Sequence, residues 1–464
     1  MTSDLTARSL AVRLDVPDAL RPAYRYALTE LLFGLGLVPV EAAPPALVVG
    51  PDALPSAAHL PADPAAAVLA GDPRTSPLDP ARGGWMDATA PDGAAMRLPL
   101  AFGSPEAPDL VATAFAWLAG WGEASAERDG HGRVPFAASW AHTLGLPTDL
   151  PVVDALRVVL ADRLRAAGID VPGRTWGGDA GALALTCDVD ALYRVRPGIF
   201  KQVFWDDLAR NAKREPFATR LHRADRLLGD AMRPGDPYLF DLAWLADTFA
   251  PLGGGTFFLK ADATNRAYDT PVNLADEALG AVAAMGHEVA LHPSYDGGGR
   301  LDHERTALRS AFPDASDAVR SHYLRFDPLE TPGRLEAAGV ALDSSLGWSD
   351  TTGFRRGTTH PFRLYDLATG RTTNVWELPL ALMDVALFVR EAATHEAGQA
   401  VTERLLDTAR RFGGVVVALW HNTLSLPDVN PASRAHVLET VAAAQVRGLR
   451  TGGVSELLET WKRG

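Results

Sequence analysis

LALTCDVD, residues Leu183 to Asp190, is an apolar run that ends in two carboxylates. Side chains alternate along a strand, so Asp188 and Asp190 share one face while Val189 points the other way. Two acids are thereby delivered to the C-terminal end of a strand, where α/β barrels assemble their active sites. A lone Asp in that position would simply cap the following loop. The other strand ends of this chain argue for more.

Six further apolar runs follow: GTFFLK (Gly255 to Lys260), EVALHP (Glu288 to Pro293), SHYLRF (Ser321 to Phe326), VALDSS (Val340 to Ser345), VWELPL (Val375 to Leu380) and VVVALWHN (Val415 to Asn422). Strands alternating with helical segments indicate parallel βαβ units. Polar groups sit at the strand ends and no dinucleotide fingerprint is present, so the pattern predicts a distorted (β/α) barrel of about seven parallel strands. GLGL at Gly34 to Leu37 and GGG at Gly253 to Gly255 lack the fingerprint's spacing and read as turns.

With 464 residues the chain exceeds one ordinary core, so two domains are expected. The first, 1–175, reads as a smaller α/β module: a helix-like stretch from Leu20 to Leu35, a β-like run from Ala46 to Val49, and an amphipathic pattern from Ala107 to Trp121 whose Trp117 and Trp121 read as packing residues. A linker near Pro147 and Pro151 leads into a helical stretch from Val152, and the barrel occupies 176–464. RDGHGR, Arg128 to Arg133, reads as a polar turn with His131 in a solvated loop.

The net charge of −13 repels phosphate backbones and anionic lipid, which disfavours nucleic-acid partners. Cys187 is the single cysteine, so neither an internal disulfide nor a Cys-based zinc site is available. The N-terminal residues carry Asp4 and Asp15 without a signal-like apolar core, and no membrane-spanning run follows, so a cytoplasmic location is expected. Ser344 and Ser345 lack a G-x-S-x-G elbow, and no phosphate-binding Gly-Lys-Ser/Thr loop occurs.

Beyond the strand EVAL stands His292, with Asp296 four residues on; if the intervening turn is helical, both reach one divalent cation. His287 opens that strand at the opposite end and reads as structural. His421 ends the last strand, where an imidazole can act as general acid, and Arg320 can hold a carboxylate ionised.

Together these segments resemble the polysaccharide deacetylase family. TCDVD is similar to its opening T-F-D-D motif, GHEVALH (Gly286 to His292) to its G-H-E-I-G-N-H, RSHY (Arg320 to Tyr323) to its Arg-led third motif, GVALDSSLGW with ELPL to a branch of the family, and LWH, ending at His421, to its closing L-x-x-H. The resemblance implies a metal-dependent hydrolase that removes acetyl groups from N-acetylated sugars. In that pattern Asp188 is the base, Arg320 its orienting partner, His421 the acid, and Asp190 and His292 metal ligands. Asp296 stands in place of a second ligand histidine, and the carboxylate-rich set makes Mn²⁺, Fe²⁺ or Co²⁺ competitive with Zn²⁺. Tyr323, Trp348 and Trp420, with Trp205 and Trp376, are candidates to meet the sugar. Upstream, WGEASAERDGHGR resembles a module found ahead of such domains, with no activity implied. Two rivals remain: a catalytically silent carbohydrate-binding or scaffold protein on the same barrel, and a hydrolase of non-sugar amides.

Overall fold

Leu10, Val12 and Leu14 are buried in alternation along Arg8–Leu14 (β1), which makes this run a strand with one face on a core. It pairs in parallel with Leu37–Glu41 (β2) and Leu47–Gly50 (β3), and Ala58–Pro61 (β4) adds to β3, for the order β2-β1-β3-β4. An antiparallel hairpin follows, Trp85–Thr89 (β5) with Ala95–Pro99 (β6). The computed structural model describes residues 7–194, 225, 229, 235–424 and 431–464.

Helices Arg21–Gly34, Leu110–Leu118 and Val152–Ala166 lie within a few residues of their expected bounds. The second differs in character: all nine of its residues are buried, so it is apolar on every side rather than amphipathic. Asp109 caps it, accepting the Ala112 amide.

The second sheet is built around Ala182–Val189 (β7), whose eight residues are all buried, as expected of a parallel strand covered on both faces. The strands that follow are Thr256–Leu259 (β8), Glu288–Leu291 (β9), Ala318–Val319 (β10), Leu342–Asp343 (β11), Phe362–Asp366 (β12), Arg371–Glu377 (β13), Leu380–Met383 (β14), Val415–His421 (β15) and Arg450–Gly452 (β16). Their order is β12-β13-β11-β10-β9-β8-β7-β15-β14, with β16 beside the first half of β7. Every pair from β13 to β14 along this path is parallel, and only β12 runs antiparallel to β13. Because just Leu378 and Pro379 separate β13 from β14, the chain itself ties the two flanks of the path together and the sheet curls.

This departs from seven parallel strands: β12 and β16 were not expected, β12 runs antiparallel, and two expected strands differ. The expected strand Ser321–Phe326 is a short 3₁₀ turn, because Tyr323 and Leu324 adopt positive φ values of 62° and 54°; the strand lies just before it. The run VWELPL is divided between β13 and β14, which pair with different partners. No helix among the described residues is long and apolar enough to cross a membrane.

The N-terminal elements pack directly on the curled sheet, and buried residues of both belong to one continuous apolar cluster. The Tyr26 hydroxyl donates to the Arg363 carbonyl at 2.7 Å, and Glu30 pairs with the Arg363 guanidinium at 3.0 Å. Glu123 of the WGE stretch receives Arg355 through two hydrogen bonds, of 3.0 and 2.8 Å, with Arg356 at 3.1 Å. Gly120 makes this possible: its φ is 73°, and a Cβ there would sit 1.3 Å from the Arg356 guanidinium. Burial opposes ionisation of Glu123, but the charges of Arg355 and Arg356 hold its pKa below the usual carboxylate value.

Removing one partner from a buried ion pair leaves the other charge uncompensated. Glu123→Gln is therefore expected to lower the unfolding free energy by about 3–5 kcal/mol in urea titrations at neutral pH. Since the folded pKa is depressed, the contribution is present above about pH 4.3, the ordinary value for Glu, and is lost as the pH falls through the folded value. The stability gap between parent and variant should close in acid.

Candidate active site

Arg320 follows the two-residue β10, and its guanidinium, with no solvent exposure, lies over the Phe258 ring at 4.3 Å. It donates to Thr186 Oγ1 (2.7 Å), Asp188 Oδ1 (3.1 Å), the Ser344 carbonyl (2.9 Å) and Ser344 Oγ (2.9 Å). Asp188, 2% exposed, is thus held at the end of β7. The neighbouring β15 sets His421 in register with it.

The Arg320 carbonyl lies 2.6 Å from His292 Nδ1. A carbonyl can only accept, so the proton sits on Nδ1 and the Nε2 lone pair is left facing Asp190 Oδ1 at 3.6 Å and Asp188 Oδ2 at 3.8 Å. His322 repeats the arrangement: Nδ1 is 3.0 Å from Asp269 Oδ1, and Nε2 is 3.3 Å from Asp190 Oδ1. Asp269 is itself fixed by the amides of Asn265 and Tyr295. One atom each from Asp190, His292 and His322 lies within 4.8 Å of the others. Asp190 Oδ1 is buried and accepts no hydrogen bond among the described residues, although Lys260 Nζ is 3.2 Å away as an ion pair.

Burial opposes ionisation of Asp190, yet Lys260 and the two imidazoles hold its pKa well below the usual range. Burial lowers the pKa of His292, favouring the neutral ring. His322 is raised against the effect of burial by the neighbouring carboxylates of Asp190 and Asp269. His421 donates from Nδ1 to Asp384 at 2.7 Å while its amide donates to the other Asp384 oxygen at 2.8 Å. Its burial is outweighed by the Asp384 carboxylate, and its pKa rises to about 9. His421 Nε2 faces Asp190 Oδ2 at 3.9 Å.

Asp188, Asp190, His292, Tyr323 and His421 therefore line one cleft of about 420 Å³, with Arg320 beneath it. Asp296 is not among them. The segment after β9 is not helical, so the four-residue spacing does not bring Asp296 back beside His292; it is exposed, 3.2 Å from Asn265 and 3.6 Å from Arg325. The third member of the cluster is instead His322, whose signal was an imidazole two residues beyond Arg320. Lys260, Asp269 and Asp384 complete the site without having been singled out, Lys260 and Asp384 standing at or next to the ends of β8 and β14.

None of the described tryptophans lines the cleft. Trp420 is fully buried against Phe249, on the opposite side of β15 from His421, and Trp348 is 4% exposed and packed on Phe136 and Arg355. Trp376 packs on Phe33 and Trp461, and Trp205 lies outside the described residues. His287 accepts the Gly255 amide at the far end of β9, as a structural residue would. His131 is only partly solvated: its ring lies 4.6 Å from that of Tyr323 and its Nδ1 is 3.0 Å from the Tyr295 hydroxyl.

No family model and no curated protein matches the chain. Among solved structures, it is similar to a candidate polysaccharide deacetylase from Mycobacterium smegmatis, at 21% identity over 61% of this chain and 91% of that one, with a TM-score of 0.40. A candidate glycoside hydrolase/deacetylase from Parabacteroides distasonis matches at 12% identity over 61% and 71%, TM-score 0.36. The catalytic domain of a peptidoglycan N-acetylglucosamine deacetylase from Eubacterium rectale matches at 15% over 48% and 84%, TM-score 0.26.

Because the Asp384 carboxylate contributes most to raising His421, with Asp190 and Asp188 adding less, Asp384→Asn should bring the imidazole pKa down from about 9. An NMR titration of the His421 ring in parent and variant measures the shift directly.

Proposed function

We propose that the chain is a metal-dependent hydrolase that removes acetyl or other N-acyl groups from a carbohydrate or glycan precursor. One observation carries the reading. Two imidazole Nε2 atoms and a carboxylate oxygen without a hydrogen bond converge within 4.8 Å, beside a carboxylate paired to Arg320 and an imidazole paired to Asp384. The donor set fits a cation: both histidines have their Nδ1 protons committed to acceptors, and a two-nitrogen, one-oxygen group with open positions suits Zn²⁺, Mn²⁺, Fe²⁺ or Co²⁺.

A divalent ion held by Asp190, His292 and His322 would supply Lewis acidity at an amide oxygen and acidify a water. Asp188, held in place by its hydrogen bond from Arg320, takes the proton of the attacking water. His421, held as imidazolium by Asp384, returns a proton to the departing amine. Asp384 and Arg320 act by orientation, since both are committed to the groups that touch substrate. The carbohydrate nature of the substrate rests on the motif resemblance.

The silent binding protein is favoured by one feature. Lys260 already supplies a positive charge to Asp190 Oδ1, the oxygen a cation would need. Metal content separates the two readings.

Protein purified without chelator should carry about one divalent ion per chain by elemental analysis and release acetate from an N-acetylated sugar. His292→Ala and His322→Ala should each lose the ion, whereas Asp296→Ala should retain it. Asp188→Asn should keep the ion and lose turnover by about 10²–10⁴-fold. An ion-free parent without acetate release would leave the binding protein as the better reading.

The pH profile is a separate expectation. His421 serves as acid only while protonated, so kcat should fall as the pH rises above about 9, and Asp384→Asn should move that limb downward.

A further inference from the structure

The turn that carries His322 is strained. Tyr323 and Leu324 both lie in the left-handed region, at φ 62° and 54°, which bulky side chains rarely adopt. Such a conformation persists only where its surroundings hold it. On the side of β11 the Ser321 amide donates to Ser345 Oγ at 2.8 Å.

Asp269 holds the His322 ring, the rings of Tyr268 and Tyr295 meet that of Tyr323, and a further grip comes from far upstream in the chain. Arg133 Nη1 donates to the Tyr323 carbonyl at 3.2 Å, and the His131 ring stacks on the Tyr323 ring. Arg128 donates to the Phe326 carbonyl at 3.3 Å and pairs with Asp327 at 3.1 Å. These three residues belong to RDGHGR, which is rigid in its own right. Asp129 accepts the amides of His131 and Arg133 at 2.9 Å each and holds the Arg133 guanidinium at 2.7–2.8 Å, and the Arg128 guanidinium reaches back to the Glu123 carbonyl. Arg133 also lines the cleft.

We propose that the RDGHGR loop is a positioning clamp for His322, holding the left-handed turn Tyr323–Leu324 so that the imidazole meets Asp190 and His292. The N-terminal part of the chain thereby completes the cation site, in the reading proposed above, without contributing a ligand to it. Arg128, His131 and Arg133 are positioning residues. Their effect reaches the cation through the backbone of residues 323–327.

The full-length chain tests this with Co²⁺ as probe, titrated by visible absorbance into metal-free protein, and with hydrogen exchange of amides 321–327 in the same metal-free protein. Arg133→Ala should weaken Co²⁺ binding by about ten- to a hundredfold, the range for residues that orient a ligand, and speed exchange across the turn. Arg133→Lys, which keeps a donor for the Tyr323 carbonyl, should recover part of both. Tyr26→Phe, which loosens a different contact between the N-terminal elements and the curled sheet, should leave both within about twofold of the parent. Should Arg133→Ala fail to fold, Arg128→Ala carries the same comparison at the other end of the turn. Exchange across 321–327 that is unchanged in these variants overturns the clamp, whatever the cation does. So does a Co²⁺ affinity within about twofold of a parent that binds Co²⁺. A parent that binds no Co²⁺ while Arg133→Ala still frees the turn defeats the cation reading and leaves the clamp standing.

Discussion

A guanidinium without solvent exposure must have its charge and its donors matched inside the protein, because burying them unpaired costs several kcal/mol. Arg320 meets that requirement with Asp188 and Thr186 on β7 and with Ser344 just past β11, and the Phe258 ring of β8 lies against it. Its own carbonyl fixes the His292 ring that follows β9. One residue therefore aligns the C-terminal ends of several adjacent strands. The carboxylate beside the cleft and the orientation of a candidate ligand are both set by it.

The three imidazoles of the cleft are sorted by what each meets at Nδ1. His292 meets a carbonyl, which orients it without adding charge, and burial keeps it neutral. His421 meets a carboxylate and is held cationic. His322 meets the carboxylate of Asp269 and also faces Asp190, so its proton is favoured until something else takes up Nε2. In the proposed reading a cation there would have to displace that proton, so its affinity would rise with pH. The same side chain is thus kept neutral at one strand end and cationic at another.

The strands were legible wherever the apolar run was long enough to be buried on both faces. LALTCDVD and VVVALWHN are neighbouring strands buried along their whole length, and the pairing of His421 with Asp188 follows from their parallel register. Arg320 was legible as a partner for a carboxylate because the charge needs one. What the residues could not display was backbone geometry after a strand. Asp296 was assigned by a helical spacing that the chain does not adopt, and His322 was hidden by a two-residue strand followed by two left-handed residues, a conformation no propensity favours for Tyr and Leu. The tryptophans followed the opposite error: large apolar rings were assigned to the cleft, but alternation along β15 sends Trp420 into the core when His421 faces out. His131 escaped because its neighbours are about 140 to 190 residues away in the chain.

The Tyr26 and Glu30 contacts carry a consequence for how the chain can be divided. β12 is an outer strand, and its Arg363 amide and carbonyl point away from β13, where an incoming strand from another molecule would pair. The Tyr26 hydroxyl and the Glu30 carboxylate occupy those two groups and close the edge. A chain cut before β7 would keep the catalytic-type sheet and lose its edge protection. Self-association through β12 would then be one failure of such a fragment, alongside release of the turn that RDGHGR holds.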